Sequence, residues 1–336
     1  HHMKKALKYI LIALLIPLVW VGGNLIYGTL TDFKPPSEEV LQIDAVNAQR
    51  PDSIITLLNW NIGYCGLGEE SDFFYDGGST VRMEDSIVRK NLNGVMNTLK
   101  YYEDADIILL QEVDTLSKRS WELNEYHRIG EILTEHNSSF TLNYNVNFVP
   151  IPLTNPMGKV MGGLATYNRF TVTSATRHQF PSSYAWPNSI YFLDRCFLVN
   201  RTPYNDVELV VINTHNSAYD DGSMKKAEMD FLKDFLLAEE EKGNYVIVGG
   251  DWNQHAPGAG DRQVPNKYID GWNWFYDTTF PTNRNLEKAY VAGETQTQVI
   301  DFFLCSPNIE LQEITVINLN FKFSDHQPVL LKVKLK

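Results

Sequence analysis

The chain has 336 residues, 43% of them hydrophobic, and its 41 acidic against 29 basic residues give a formal net charge of −12. This length and apolar content support one large folded domain or two small ones. The acidic balance disfavours a protein that grips nucleic acid through a broad basic face, because such a contact needs clustered Lys and Arg. A nuclease remains compatible with it, because an active-site metal brings its own positive charge.

The first predicted element is an apolar helix at the amino terminus. His1 and His2 precede Met3 in the manner of a tag remnant. Residues 9–30 contain no charged side chain, and three lysines precede them. About twenty apolar residues suffice to cross a bilayer, and flanking lysines favour the cytoplasmic side. We therefore predict a membrane anchor within residues 1–30. A cleaved signal peptide is the alternative, although no clear small-x-small cleavage site follows the apolar run.

The anchor predicts that the remainder of the chain lies outside the cytoplasm, on the periplasmic or cell-surface side. Residues 31–52, with Pro35, Pro36 and Pro51, are typical of a linker between a membrane and a domain. The three cysteines have no metal-like spacing, and we interpret them as small buried hydrophobic residues.

From residue 53 onward, strands alternate with helices. Apolar positions at helical spacing predict helices over residues 84–101, 119–136 and 223–241. This alternation predicts two packed sheets with helices outside, and the long connection over residues 260–297 is predicted to be functional. Apolar runs rich in β-branched residues predict strands at residues 53–60, 106–113, 162–167, 170–179, 190–200, 207–213, 245–249, 297–305, 313–319 and 329–335.

Six short segments place carboxylate, amide or imidazole side chains at the end or the start of an apolar strand. One such side chain alone can simply mark the point where a strand meets water, so no single segment identifies a site. The segments are LLNWNIG (Asn61), IILLQEVD (Glu112), VVINTHN (His215), VIVGGDWNQ (Asp251 and Asn253), QVIDFFLCS (Asp301) and FSDHQPV (Asp325 and His326).

Together these side chains are the ones that phosphoryl chemistry requires. Hard oxygen ligands suit Mg²⁺ or Mn²⁺ rather than a thiolate-binding metal, and the histidines do not have an H-E-x-x-H zinc spacing. The sequence contains no G-x-S-x-G elbow and no Walker loop. A metal beside phosphate oxygens, neutral donors and an imidazole–carboxylate pair form the inventory for hydrolysis of a phosphoester.

In order, NWNIG, LLQEVD, NTH, GGDWN, IDFFL and SDHQPV resemble the motifs of the endonuclease/exonuclease/phosphatase superfamily. The resemblance extends from about residue 54 to residue 335. It implies a catalytic domain over residues 53–336 with a four-layer α/β/β/α sandwich of two packed mixed sheets and outer helices. It also implies a metal-dependent phosphoric ester hydrolase, with Mg²⁺ or Mn²⁺ as its cofactor.

The resemblance also implies roles for individual residues. Glu112 resembles the principal metal ligand of the family, assisted by Asn61. Asp325 is similar to a carboxylate that acts through the metal or its water. Asp301 and His326 resemble the carboxylate–imidazole pair that orients and activates the attacking water.

Three further residues match positions that contact phosphate. Asp251 and Asn253 resemble residues that hold the scissile phosphate, the nucleophile or a second metal. His215 resembles the phosphate-binding imidazole of the deoxyribonuclease and sphingomyelinase branches.

The substrate-binding residues and the branch of the family are indicated less directly. Arg195, Asn145 and Asn168 lie near places where relatives contact phosphate, although an arginine in a strand can equally serve a structural ion pair. Gly63 stands where abasic-site enzymes carry an aspartate, and His215 replaces a tyrosine common in that branch. These departures argue against a repair endonuclease.

Three hypotheses for the substrate remain. The first is a phosphodiesterase of the phospholipase C or sphingomyelinase type, favoured by the anchor, the acidic charge and the aromatic segments at residues 184–186 and 272–276. The second is an extracytoplasmic nuclease, which needs only the same metal chemistry. The third is a non-catalytic member that uses the fold for binding, which retention of all six segments disfavours.

Overall fold

Two seven-stranded sheets pack against each other in the computed structural model, which describes residues 2–258 and 262–336. In spatial order, the first sheet contains β1 (Glu38–Val40), β7 (Ser174–Gln179), β8 (Cys196–Tyr204), β9 (Val207–His215), β10 (Tyr245–Asp251), β14 (Asp301–Cys305) and β11 (Asn273–Phe275). The second contains β15 (Ile309–Val316), β16 (Val329–Leu335), β3 (Ile54–Asn61), β4 (Ile107–Asp114), β6 (Gly158–Asn168), β5 (Asn137–Val149) and β2 (Ile43–Asp44).

Helices cover the outer faces of both sheets. The second sheet packs against α2 (Asp85–Tyr101) and the short α3 (Glu125–Gly130), and the first packs against α4 (Ser223–Glu241). A small two-stranded sheet of β12 (Asn283–Arg284) and β13 (Thr297–Gln298) lies apart from both. Parallel and antiparallel pairs occur in each large sheet, so the four-layer sandwich of mixed sheets is confirmed.

The apolar runs in the sequence follow from burial on both faces of the strands. In β3, Ile55 and Leu57 point between the sheets, whereas Leu58 and Trp60 pack against the layer that contains α2. Strand β9 alternates in the same way between the second sheet and α4. Because successive side chains of a strand face opposite sides, a strand buried on both sides is apolar throughout.

Most predicted elements are present, but the region between β4 and β6 differs from the prediction. The helix predicted over residues 119–136 is limited to α3, and the 13-residue strand β5 follows it without having been predicted. Its first buried positions, Asn137, Ser139 and Thr141, are polar, so hydrophobic periodicity does not reveal the strand. Ser139 accepts a hydrogen bond from Asn200 Nδ2 at 2.9 Å, which satisfies its buried hydroxyl.

Residues 31–52, which we call the strap, are not a free linker, and that prediction is corrected. Within the strap, β1 adds an antiparallel edge strand to β7 of the first sheet, and β2 does the same to β5 of the second. Gln49 then bridges to Phe170. These pairings cover one edge of each sheet. The strands of the strap are short and the strap contains prolines near its ends, so its sequence did not indicate β-structure.

The side chain of Asn137 fastens the strap to the domain. Its Oδ1 accepts hydrogen bonds from the backbone N–H groups of Val46 at 2.7 Å and Asn47 at 2.8 Å. Its Nδ2 donates to the carbonyl of Phe170 at 2.6 Å. Because the residue is buried, no bulk water replaces these bonds when they are lost.

The amino-terminal helix α1 (His2–Leu30) precedes the strap. Within the described residues, one helix is long and apolar enough to cross a membrane, and it is Met3–Leu30 of α1. Its most apolar stretch has no part buried against the rest of the protein. An apolar helix with no protein covering matches the element predicted as a membrane anchor or signal sequence.

We expect Asn137→Ala to destabilise the domain by about 2–4 kcal/mol, because three buried hydrogen bonds are lost at once. The midpoint of urea unfolding measures this change. Asn147→Ala, on an exposed position of the same strand, is the matched control and should change the midpoint little. Equal midpoints for the two variants would contradict a strap that is part of the folded domain.

Candidate active site

The register of the first sheet brings three predicted residues side by side at one edge. Strand β10 pairs in parallel with β9, which aligns Asp251 with His215. It pairs antiparallel with β14, which aligns Asp251 with Asp301. Asp301 therefore begins its strand at the edge where Asp251 and His215 end theirs.

The second sheet contributes Asn61 and Glu112 to the same edge. Asn61 is the last residue of β3 and aligns with Gln111 of β4. Glu112 follows in a bulge where two residues of β4 oppose one residue of β6, and its φ of 53° is rare outside glycine. A bulge re-aims the side chain that it contains, and it is common beside active sites. This bulge turns the Glu112 carboxylate toward the cavity between the sheet ends.

The side-chain amide of Asn61 joins the two sheets at the site. Its Nδ2 donates to Asp251 Oδ2 at 3.0 Å and lies 3.2 Å from Glu112 Oε1. Its Oδ1 accepts from the backbone N–H of Gly63 at 3.0 Å. Asn61 therefore holds two carboxylates of different sheets close together.

Gly63 has a local structural reason to lack a side chain. Its φ is +52°, and a Cβ there would lie 2.8 Å from Asp325 Oδ1. A residue with a side chain would be strained and would displace Asp325. Gly63 stands where the abasic-site branch has an aspartate, and here Asp325 occupies the space that such a side chain would need.

His326 and Asp301 form a hydrogen-bonded pair. His326 Nδ1 lies 2.8 Å from Asp301 Oδ2, and Asn283 Nδ2 lies 2.9 Å from His326 Nε2. Gln298 Nε2 donates to Asn283 Oδ1 at 2.7 Å, which fixes the orientation of the Asn283 amide. When the ring is neutral, this network makes Nδ1 the donor to Asp301 and Nε2 the acceptor, which is the tautomer that a general base requires.

The carboxylates around His326 influence its protonation. Burial alone lowers the pKa of His326, but the carboxylates of Asp301, Asp325 and Asp251 outweigh burial and hold the pKa well above its usual range. Burial raises the pKa of Asp301 to about 6, against the opposing effect of His326. Burial also raises the pKa of Asp325 to about 7, and the Glu112 carboxylate adds to this rise. The site therefore concentrates negative charge that its histidines only partly offset.

His215 differs from His326 in its surroundings. Its Nε2 lies 3.4 Å from Asp251 Oδ2, while its buried Nδ1 has no hydrogen-bond partner among the described residues. Burial lowers the pKa of His215 well below its usual range, and the guanidinium of Arg195 lowers it further. A neutral imidazole at this position can donate a hydrogen bond without adding charge.

A cavity of about 450 Å³ opens at this edge of the sandwich. Carboxylate, amide, imidazole and guanidinium groups share its wall with aromatic side chains. A concave site with a few convergent polar groups and perturbed pKa values is the usual form of an active site. The predicted residues in its lining are Glu112, Asp251, Asn253, Asp325, His326 and Arg195.

Asn253 and Arg195 occupy the cavity wall in different ways. Asn253 has a φ of 48°, and its Nδ2 donates to the carbonyl of Asn216 at 2.9 Å. Arg195 lies just before β8 rather than inside a strand, and it is buried. Its Nη1 finds no partner in the part of the chain that the structure describes. An unpaired buried guanidinium nitrogen beside a cavity is suited to bind an anion.

The structure does not bring Asn145 or Asn168 to the cavity. A bulge in β5 between Leu142 and Tyr144 turns Asn143, rather than Asn145, into the cavity wall. Asn143 is buried, and its Nδ2 has no partner among the residues described. Sequence spacing did not identify it, because a bulge of one residue reverses the faces of a strand.

Asn168 lies at the opposite end of the second sheet. It aligns with Ile107, at the start of β4, while the site is at the end of that strand. Its Oδ1 accepts from the backbone N–H of Phe170 at 2.9 Å, which caps the end of β6. We therefore withdraw Asn168, together with Asn145, from the candidate site.

Two sets of side chains could hold a divalent cation. Asp251, Asp301 and His326 offer ligand atoms within 4.8 Å of one another, but Asp301 and His326 already bond to each other. Glu112, with Asn61 and Asp325, forms the other set, in which Glu112 alone is only partly buried. Burial, with the neighbouring Glu112 carboxylate, raises the pKa of Asp325, and a carboxyl group in such surroundings fits a site built for a cation.

Comparison with protein families shows which family the chain belongs to. Residues 58–326 match the model described as the endonuclease/exonuclease/phosphatase family, and these residues make up most of the chain. The chain belongs to this family. The match contains the segments from Asn61 to His326 and supports a phosphoester hydrolase, which is the enzyme class of the family. Curated proteins give no significant match to the sequence.

Solved structures of the family share the fold at low sequence identity. An endonuclease/exonuclease/phosphatase protein from Beutenbergia cavernae DSM 12333 has a TM-score of 0.56 and 16% identity, over 84% of this chain and 72% of that one. The D. rerio protein TDP2, complexed with a single-strand DNA product, has a TM-score of 0.57 and 14% identity, over 84% of this chain and all of the other.

A third solved structure is that of ANGEL2, a 2′,3′-cyclic phosphatase, in complex with adenosine-2′,3′-vanadate. It has a TM-score of 0.56 and 14% identity, over 88% of this chain and 98% of the other. At these identities the likeness establishes the fold of the phosphohydrolase family and leaves the substrate of this chain open.

We expect Glu112→Gln to lower the metal-dependent turnover roughly 100-fold or more, because the amide keeps the shape of the side chain and loses its charge. The unfolding midpoint of the metal-free protein should not fall, since one repelling carboxylate is removed. Steady-state kinetics and thermal unfolding measure the two effects. Undiminished turnover in a folded variant would contradict the role of Glu112.

We expect Asn143→Ala to lower kcat/KM by roughly 100-fold, which is typical for loss of one donor to a reacting oxyanion. Asn145→Ala, two residues along the same strand and outside the cavity, is the matched control and should keep nearly full activity. A larger loss in the Asn145 variant than in the Asn143 variant would show that the bulge assigns the wrong residue.

Proposed function

We propose that this protein is a Mg²⁺-dependent phosphodiester hydrolase, or one that uses Mn²⁺, anchored in a membrane and acting on a phospholipid or sphingolipid head group. The observation that carries the reaction type is the His326–Asp301 pair, whose imidazole lines the same cavity as the Glu112 carboxylate. An imidazole whose Nε2 can exchange an amide partner for water, beside clustered oxygen ligands, is suited to activate that water against a phosphoester.

Glu112, assisted by Asn61 and Asp325, is the donor set that we assign to the metal. The two carboxylates offer oxygen donors, which hard divalent cations prefer, and Asn61 assists by positioning Glu112 Oε1 through its Nδ2 at 3.2 Å. When bound, the cation would neutralise charge on a non-bridging phosphate oxygen and offset the negative charge of the carboxylates. Asp251 remains fixed by Asn61 at 3.0 Å, and this position favours a role in holding the phosphate or the nucleophile.

His326 takes the role of the general base in this proposal. Its Nε2 accepts a proton from the attacking water, while Asp301 holds Nδ1 and stabilises the imidazolium that forms. The water oxygen then bonds to phosphorus as the ester P–O bond breaks, the leaving oxygen takes a proton from solvent water, and the His326 imidazolium afterwards returns its proton to solvent. Asn283 keeps the ring in place and yields its contact with Nε2 to the water.

Groups on the other wall of the cavity are placed to bind the phosphate. Asn143 and Arg195 line the cavity, and each has a side-chain nitrogen without a partner in the described chain, whereas His215 directs its Nε2 toward Asp251 at 3.4 Å. Donors that are already oriented toward developing negative charge stabilise a transition state without rearrangement. We assign these three residues and Asn253 to substrate binding.

The position of α1 supports a membrane-anchored enzyme rather than one released by cleavage of a signal peptide. The last turns of α1 contact the catalytic domain, where Trp186 Nε1 donates to Thr29 Oγ1 at 3.2 Å. A signal peptide has no structural role in the mature protein. The lysines before the span favour a cytoplasmic amino terminus and hence a domain on the periplasmic or cell-surface side.

A lipid head group is the preferred substrate because of the anchor and the charge of the chain. The net charge of −12 disfavours long-range attraction of a nucleic acid. An extracytoplasmic endonuclease or exonuclease is the second candidate, and the similarity to TDP2, whose structure holds a single-strand DNA product, favours it. Retention of the complete site argues against a non-catalytic binding protein.

The expected result of a substrate panel is Mg²⁺-dependent cleavage of sphingomyelin or phosphatidylcholine and of bis-p-nitrophenyl phosphate, with little cleavage of DNA. The full chain in detergent or vesicles is assayed for released phosphorylated head group, nitrophenol and DNA fragments. Glu112→Gln is the control for contaminating activity. Cleavage of DNA alone would overturn the lipid assignment, and no metal-dependent cleavage of any substrate would overturn the proposed hydrolase.

A further inference from the structure

The end of α1 packs against a segment that also borders the active-site cavity. Gly28 is buried, and a Cβ there would lie 2.9 Å from Ile190 Cδ1 and 3.3 Å from Tyr191 Cε1. Any larger residue would have to displace the ends of these two side chains, so glycine favours the close approach of the helix. Two residues farther along the same segment, Phe192 and Leu193 line the cavity. The helix therefore meets the domain beside the catalytic site.

The length of α1 places this contact at the surface of a bilayer. The uncharged run begins at Tyr9, and the twenty residues from Tyr9 to Gly28 rise about 30 Å in a helix, which matches the thickness of a hydrocarbon core. The residue at which α1 leaves the hydrocarbon is then the residue that packs on Ile190 and Tyr191. The domain surface beside α1 consequently lies at the level of the head groups.

The register of the first sheet shows that the strap enters the domain at its catalytic end. Thr214 precedes His215 and aligns with Phe197, which aligns with His178, and His178 aligns with Glu38 of the strap. Along the strand direction, Glu38 therefore lies at about the same level as His215 and Asp251. Four strand spacings separate β10 from β1, or about 19 Å. The membrane anchor and the catalytic residues thus share one end of the sandwich.

Two exposed apolar loops project from that same end. The loop at residues 150–157 joins β5 to β6. Gly158, at the start of β6, lies four residues from Gly162, which lines the cavity. This offset corresponds to about 13 Å of extended strand. Leu153 at its tip is 70% exposed, and Trp186 in the loop before β8 is 60% exposed. Aromatic and apolar side chains at such a level are typical of contact with a membrane interface.

We propose that α1 and the strap hold the mouth of the active-site cavity against the bilayer that α1 spans. The loop at residues 150–157 and the side chain of Trp186 rest in the head-group layer of that bilayer. The phosphoester then enters the cavity from the membrane surface rather than from bulk water. This orientation rests on the membrane anchoring in the proposed function and goes beyond it, because an anchored domain on a free linker would have no fixed face.

Fluorescence quenching in vesicles tests the orientation directly. The three native cysteines are buried, so a cysteine introduced at an exposed position takes up a thiol-reactive fluorophore selectively. Leu153→Cys is labelled in the full chain and reconstituted in phosphatidylcholine vesicles that carry doxyl-labelled acyl chains. Leu311→Cys is the matched control, because Leu311 is an exposed leucine on β15 that aligns with Val333, near the opposite end of the second sheet.

The orientation predicts that quenching is several-fold stronger at position 153 than at position 311. Equal quenching at both positions, or none at position 153, would overturn the proposal. The result does not depend on the substrate: strong quenching at position 153 in a protein that cleaves only DNA would keep the orientation and reject the lipid substrate.

A second variant tests the consequence for catalysis. Trp186 does not line the cavity, so Trp186→Ala should lower hydrolysis of a phosphodiester in vesicles several-fold and leave hydrolysis of bis-p-nitrophenyl phosphate unchanged. Selective loss with vesicles supports contact of Trp186 with the interface. An equal loss with both substrates, or no loss with vesicles, would contradict it.

Discussion

The rest of the site depends on the convergence of four carboxylates, three of them buried, in one place. Glu112, Asp251, Asp301 and Asp325 come from both sheets and from the segment before β16, and they converge on the end of the sandwich. Burying like charges together is unfavourable unless they are paired, hydrogen-bonded or neutralised. Asn61 bonds Asp251 and His326 bonds Asp301, while Glu112 and Asp325 keep capacity for a cation. The remaining repulsion between carboxylates therefore lies at the position where a cation would bind to assist phosphate chemistry.

The strand-end residues could be predicted from the sequence because strands buried on both faces leave an unmistakable apolar pattern. Where β3, β9 and β10 stop being apolar, the next side chain lies at the sheet edge, and the alignment of these strands makes the edge common to all. The order of the six segments then indicated the family and the four-layer sandwich. The strand-end residues and the four-layer sandwich could both be predicted, because the local sequence patterns that indicate them agree with the tertiary structure.

Other features could not be predicted, for physical reasons particular to each. Strand β5 places polar residues on its buried side, so its periodicity is invisible, and its bulge exchanges Asn143 for Asn145 in the cavity wall. Asn283 reaches His326 from a two-residue strand in a long connection, where no pattern marks its position. The strap pairs through its backbone, which leaves little trace in its side chains. Backbone pairing and bulges are set by the whole fold rather than by local sequence.

The helix α1 is connected through the strap to both sheets that form the candidate site. The strap adds an edge strand to each sheet, so a force or a constraint on α1 is transmitted to both sheets that carry catalytic residues. Edge strands that cover a sheet also limit its association with other chains. The same segment thus completes both sheets, and in the proposed orientation it also sets the direction in which the cavity opens.

Anomalous diffraction from crystals grown with Mn²⁺ would test most directly whether the clustered carboxylates form a cation site. The account predicts a single strong peak at coordination distance from the Glu112 carboxylate, with His326 and Asp301 still bonded to each other. A peak held by Asp251, Asp301 and His326 instead, or no peak in the cavity, would contradict the division of the site into a metal-binding set and a general-base pair.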